Sequence, residues 1–227
     1  MTIDGPLADT REMYLVHDMF RREFGLMPAL VRAVTPGDVE RAGVVADHIT
    51  LVTGVLHSHH RGEDDHLWPR LLERVPEEVV PVVHTMEDHH EGIARLDAEL
   101  ETAISAWRAD AGAERGKALA DVIERVNVLL VEHLGLEEER ILPLAEKYVT
   151  AAEWAAMVAD ANSKLPMEML PLLAGFVTYE GDPEVIEGLF SSLPPEVGVF
   201  LRQQAPQAYA SHAERVHGTP TPPRATG

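Results

Sequence analysis

Apolar side chains recur every three to four residues through the first two thirds of the chain, the period of a single helix face. Tyr14, His17, Phe20, Phe24 and Leu26–Met27 share such a face, predicting a first helix over about residues 9–33, capped by Asp9 or Thr10. The cluster Thr35-Pro36-Gly37-Asp38 stops it, and Asp38 is placed to cap the next helix. Val44, Ile49, Val52, Leu56, His59, Glu63 and Leu67 align along a second helix at about 39–74, with a kink or break expected at Pro69. Val83, Met86, His90, Ile93, Leu96 and Leu100 mark a third at about 81–107. Leu119, Val122, Val126, Leu129, His133, Leu136 and Leu142 mark a fourth at about 114–148. Four amphipathic helices with short connections predict an all-α, antiparallel up-down-up-down four-helix bundle over residues 9–149.

The pattern changes after Thr150. A helix at 151–164 is followed by shorter segments at 167–179, 182–191 and 195–204, punctuated by Pro166, Pro171, Pro183, Pro194, Pro195 and Pro206. Residues 150–217 therefore read as an extension of additional short helices, and the Pro-rich 218–227 as a disordered tail.

Composition narrows the chemistry. The 227 residues are 45% hydrophobic but only 5% aromatic, so the core is mainly aliphatic. The absence of cysteine excludes disulfides, thiolate metal sites and Cys nucleophiles, and fits a reducing cytoplasm. The first ten residues lack the basic start and apolar run of a signal peptide, and no apolar stretch approaches the roughly 18 residues of a membrane span. With 38 acidic against 19 basic side chains, the net charge of −19 repels nucleic acid and anionic membranes. The glycines and serines form no phosphate-binding or nucleophile motif. Twelve histidines remain, and an acidic, His-rich, Cys-free chain offers donors suited to iron, manganese or zinc.

Two of the helices carry the same signature. His59-His60-Arg61-Gly62-Glu63-Asp64 ahead of Leu67-Trp68-Pro69 is echoed by His133-Leu134-Gly135-Leu136-Glu137-Glu138 ahead of Ile141-Leu142-Pro143. In each, a His and a Glu four residues on project from one helix face, a second acid follows, and a Pro lies six residues past the Glu. The second and fourth helices of such a bundle are diagonal, so both signatures face one point and could hold two metal ions between them. An unpaired carboxylate in an apolar interior costs several kcal/mol, which coordination offsets. Candidate ligands are His59, Glu63, His133 and Glu137, joined by His17 from the first helix and His90, ahead of His89, from the third. Glu138 is a further ligand candidate. Asp18, Asp64 and Glu138 are placed to orient imidazoles from behind, and His57 and His60 read as outer residues. His48 reads as structural, His84 as too near a helix start, and His212 and His217 as lacking a metal role.

His17-Asp18, His-His-x-x-Glu-Asp with Leu-Trp-Pro, Asp88-His89-His90, and His-x-x-x-Glu-Glu with Ile-Leu-Pro together resemble the hemerythrin-like, or HHE cation-binding, family over residues 10–148. The resemblance implies a non-haem di-iron centre with His17, His59, His90 and His133 as terminal ligands and Glu63 and Glu137 as bridges. The function expected is binding of O2, peroxide or NO for sensing, storage or detoxification, with weak peroxidase- or catalase-like turnover, and Phe20, Phe24, Leu56 and Met86 are expected to form a dry pocket that favours a small apolar gas over water. Zinc and manganese suit the same donors. The chain departs from the oxygen carriers at Met86, where those proteins place a second His, pointing to a more open iron. The carriers' spacing selects Glu138 as the bridge, whereas the internal repeat selects Glu137. Two alternatives stand: a ferritin-like di-iron oxidase using Glu63-x-x-His66 and Glu87-x-x-His90, and a metal-free helical interaction module.

Overall fold

Amphipathic segments of this kind gain their stability by burying their apolar stripes against one another. In the computed structural model they do so as ten α-helices among the described residues, 4–162 and 166–225. The predicted end of the helix at 151–164 and the last two residues of the tail lie outside them.

The helices are α1 (Arg11–Ala33), α2 (Val39–Gly62), α3 (Trp68–Arg74), α4 (Val80–Arg108), α5 (Ala113–Leu136), α6 (Leu142–Tyr148), α7 (Ala151–Asn162), α8 (Leu170–Thr178), α9 (Pro183–Ser192) and α10 (Pro195–His217). Packing runs around a ring from α1 to α2, α4, α5 and back to α1, which leaves α2 and α5 diagonal. The α1–α2 and α4–α5 turns meet at one end, where the Gly37 amide donates to the Ala111 carbonyl at 3.1 Å. Both hairpins therefore turn at the same end, and the bundle is up-down-up-down, as the apolar period predicts. Asp38 caps α2 by accepting from the Arg41 amide at 3.0 Å.

The predicted break at Pro69 takes a different form. Residues Glu63–Leu67 make a π-helical turn, with Trp68 N–H donating to the Glu63 carbonyl, and the chain continues directly into α3. Glu137–Ile141 repeats this ahead of α6 and Pro143, with Leu142 N–H donating to the Glu137 carbonyl. Proline lacks an N–H and crowds the carbonyl four residues back, so a wider turn just before it relieves the clash without ending the helix.

Two apolar clusters fill the bundle. One holds Phe20, Phe24, Leu56, Trp107 and Leu130, and reaches Phe176, Tyr209 and Ala213 of the extension. The other holds Leu67, Trp68, Met86, Ile141 and Trp154. The four residues expected to form one dry pocket are thus split, with Met86 in the second cluster and the rest in the first.

The C-terminal third packs against α1 and α2, so α1 is covered on more than one side and buries Arg22 and Glu23 as well as its bundle face. Tyr14, expected inward, is exposed. Gly175 lets α8 cross α10 closely; a Cβ there would lie 2.4 Å from the Ala205 carbonyl oxygen.

Two expectations for this region need correction. The helix predicted at 195–204 runs on through Pro206 to His217. One lost hydrogen bond and a steric cost of roughly 3 kcal/mol are outweighed by the buried stripe of Leu201, Ala205, Tyr209, Ala213 and Val216. The start of the presumed disordered tail is docked. The Tyr179 hydroxyl donates to the Pro222 carbonyl at 2.9 Å, and the Arg224 guanidinium lies 5.3 Å over that ring.

Candidate metal centre

The two π turns lie at one level between the apolar clusters, and each aims consecutive acids at imidazoles from its own preceding helix and from a neighbouring one. Glu63 reaches from α2's end toward two of them: Oε1 is 3.2 Å from His59 Nε2 and Oε2 is 3.3 Å from His90 Nε2. Glu137 does the same across the bundle, its Oε2 lying 3.4 Å from His17 Nε2 and 3.7 Å from His133 Nε2. His60 joins them, its ring stacked on His90 with centroids 4.1 Å apart, and 5.0 Å from the His133 ring. Ligand atoms of His17, His59 and Glu137 fall within 4.8 Å of one another, as do those of His60, His90 and His133 and those of Glu63, His133 and Glu137.

The second acid of each motif grips an imidazole from behind. Asp64 Oδ1 is 2.6 Å from His90 Nδ1 and accepts from the Trp68 indole N–H at 2.9 Å. Glu138 Oε1 is 2.8 Å from His17 Nδ1, and Arg21 donates to both Glu138 oxygens at 2.7 and 2.9 Å. Each carboxylate fixes the ring so that Nε2 points inward.

The inward atoms themselves have no hydrogen-bond partners. Nε2 of His17, His59, His60, His90 and His133 and all four oxygens of Glu63 and Glu137 are buried and unpaired. Leaving such groups unsatisfied costs on the order of 1–3 kcal/mol each, more when charged. The 3.2–3.7 Å separations are long for hydrogen bonds. Donors sharing an ion at about 2.0–2.2 Å stand about 3.0–3.6 Å apart, which the 3.2–3.4 Å pairs match, the His133 pair at 3.7 Å being slightly wider. The donor set, five imidazoles and two carboxylates, suits first-row transition-metal cations.

Electrostatics point the same way. Burial, reinforced by the Glu137 charge, pushes the Glu63 carboxyl up to about 8. Glu137 is held low in spite of burial because His17, His133 and His59 face it. Burial opposes charge on His17 and His90, yet Glu137 and Glu138 raise the first, and Asp64 and Glu63 the second, to about 9. Burial drives His59 and His133 down to about 3 and carries His60 well down too. The pocket is short of positive charge, and protons supply it wherever a cation does not.

Among the other candidates, His89 lies with its ring 5.9 Å from His133 and outside the three converging sets. Asp18, expected behind an imidazole, instead faces Arg21 at 3.4 Å. His66 pairs with Asp160 at 3.4 Å and Glu87 with the exposed His84 at 2.6 Å, so neither Glu-x-x-His pair of the ferritin-like alternative converges on the centre. His60, read as an outer residue, is buried among the inner rings. Its spacing three before Glu63 was the available signal, since i and i+3 also share a face. Arg21 carried no signal, and its role depends on where α1 meets α5.

A cleft of about 650 Å³ runs from the surface to His60 and His90. Its wall carries Asp64, Glu87, Asp88, Glu91 and Asp97 against Arg61. None of the helices, among the described residues, is long and apolar enough to cross a membrane.

Comparison with known proteins places this geometry. The family model for the hemerythrin HHE cation binding domain matches residues 8–145, from α1 into the first turn of α6, with both repeated motifs. No curated protein and no solved structure gives a significant match. The match covers well over half of the chain, and the chain belongs to the hemerythrin HHE cation-binding family.

Proposed function

We propose that the chain is a non-haem di-iron protein that binds O2, peroxide or NO, with one ion held by His17 and His59, the other by His60, His90 and His133, and Glu63 and Glu137 bridging. The observation that carries this reading is the set of buried, unpaired nitrogen and oxygen atoms converging at one level of the bundle. When bound, a pair of ferrous ions supplies electrons for reducing O2 or peroxide and coordination for NO. His60 brings from α2 the additional imidazole that Met86 does not offer on α4.

The protein's own groups set what reaches the centre. Phe20 lies 5.3 Å from the His59 ring, and Phe20 and Leu56 are fully buried, so water has little room on that side. The acidic cleft leads to the other side, and its field disfavours anions while admitting neutral diatomic molecules and hydrogen peroxide. Asp64 and Glu138 hold His90 and His17 in register and can retain a proton at their Nδ1 atoms.

The test is metal content and spectroscopy. Purified protein reconstituted with ferrous iron anaerobically and then exposed to air is expected to hold two irons per chain and to develop near-ultraviolet oxo-bridge absorption. NO titration of the reduced form reports ligand access. Absence of both bound iron and the absorption defeats the proposal.

A further inference from the structure

A second group of metal-binding side chains lies outside this centre, where the end of α10 meets α1 and α2. Glu23 Oε2 is 3.3 Å from His48 Nε2 and 3.6 Å from His217 Nε2. The three side chains are 0%, 0% and 6% exposed, and none of these three atoms has a hydrogen-bond partner. They fall within 4.8 Å of one another.

We propose that Glu23, His48 and His217 form a mononuclear divalent-metal site, best suited to zinc, that fastens the end of α10 to the bundle. A hydrogen bond would draw each imidazole to within about 3.2 Å of the oxygen, and both stand off. Donors of a tetrahedral zinc with bonds of about 2.1 Å lie about 3.4 Å apart, which fits both separations. Two imidazoles and one carboxylate are also a known three-ligand set for zinc, with a small molecule such as water as the fourth donor.

The atoms facing away are already engaged. Glu23 Oε1 accepts from Arg22 Nε at 2.8 Å and from the Tyr209 hydroxyl at 3.2 Å. His48 Nδ1 lies 3.1 Å from His212 Nε2. Such outer bonds fix the orientation of metal ligands. They leave one carboxylate oxygen and two ring nitrogens aimed at a common point.

The site also sits where a clasp has the most to hold. His217 is the last residue of α10, which then ends on the left-handed Gly218. Arg41 at the start of α2 donates to the Arg215 and Val216 carbonyls, so the same helix end is already gathered onto the bundle. A metal joining His217 to His48 and Glu23 closes a long loop, and its binding energy adds to folding. His217 lies outside the stretch matched to the family, so the site joins the extension to the bundle.

The experiment counts zinc and locates it. Metal-stripped full-length protein is dialysed against zinc, desalted and analysed by mass spectrometry. The wild type is expected to hold three ions per chain and His217→Ala two, with a smaller zinc-induced rise in melting temperature. An equal count in the two proteins overturns the inference and leaves the inner centre untouched. A wild-type count of one that falls to zero in His217→Ala keeps the inference and removes the dinuclear reading. If His217→Ala does not fold, crystals of the zinc-loaded wild type decide. An anomalous difference peak at the zinc edge between Glu23, His48 and His217 supports the site, and its absence there rejects it.

Discussion

The α2–α4 and α5–α1 halves of the centre use the same parts in different company. Both have a His, an inward-facing Glu four residues later, a second acid, and a π turn ahead of proline. In the α5–α1 half the second acid, Glu138, is 19% exposed and clamped by Arg21 through both oxygens. In the α2–α4 half the second acid, Asp64, is 46% exposed and, beyond its imidazole, is held by a single indole N–H. The residue after the first His also differs: His60 points an imidazole inward, whereas its counterpart Leu134 is fully buried in the core. The surface cleft reaches only the α2–α4 half. We read the α5–α1 half as a rigid floor and the α2–α4 half as the side open to the cleft.

The largest effect comes from breaking what the halves share. Glu63 and Glu137 each lie within 3.7 Å of imidazoles assigned to both proposed ions, so removing either disturbs both. Glu63→Ala or Glu137→Ala is expected to reduce bound iron from two ions to fewer than one per chain. The melting temperature of the iron-loaded protein should fall by about 10 °C, since the stabilising ligand is lost. Mass spectrometry and calorimetry check this. Retention of two ions in either variant means that the carboxylates do not bridge.

Next comes the contrast between the second acids. Removing the partner of a metal-bound imidazole costs about 10–100-fold in metal affinity. Glu138→Gln should fall near the upper end, because it releases His17 and leaves Arg21 without its paired carboxylate. Asp64→Asn should fall near the lower end, because water reaches that position. Competition with a calibrated chelator measures both. Equal losses, or a larger loss at Asp64, contradict the rigid-floor reading.

How much of this was legible in the sequence depended on what period could encode. The apolar stripes of α1, α2, α4 and α5, and the echo of Glu63 by Glu137, repeat at helical spacing, so the bundle and the diagonal placement of the motifs could be read directly. His60 stands about 100° around the helix from His59, so only its three-residue spacing to Glu63 marked it as inward, and both can face inward where two helices converge. The partners of Asp64 and Glu138 are set by helix crossings that no local pattern records. Pro206 reads as a stop, and only the packing of Leu201, Ala205 and Tyr209 carries α10 past it. Glu23, His48 and His217 come from three helices, and their meeting depends on that continuation.

His60→Leu gives the α2–α4 half the residue that stands at the corresponding position of the other half. Two ions should remain, since Glu63, Glu137 and four imidazoles are untouched, while the visible spectrum shifts with the loss of one nitrogen donor. Access from the cleft should widen, and NO or peroxide should react roughly 3- to 10-fold faster, on the order of 1 kcal/mol in barrier. Stopped-flow spectroscopy reads the rate. An unchanged spectrum with unchanged rates places His60 outside the coordination sphere.

The smallest expected effect tests the cleft wall itself. Burial raises the Asp97 carboxyl to about 6, with the Glu101 charge adding to it, and one of its oxygens is buried without a partner. A carboxyl whose folded value exceeds its unfolded one costs stability above the folded value, and the cost vanishes below the unfolded value of about 3.8. Asp97→Asn should therefore stabilise the protein at pH 8 and not at pH 3.5. The gain is about 1 kcal/mol once solvent screening of a partly open site is allowed for. Denaturant melts at the two pH values measure it. A gain of the same size at both means that ionisation is not the cause. A gain confined to the higher pH means that this wall keeps a destabilising charge, consistent with a cleft whose acidity serves passage to His60 and His90 at the expense of packing.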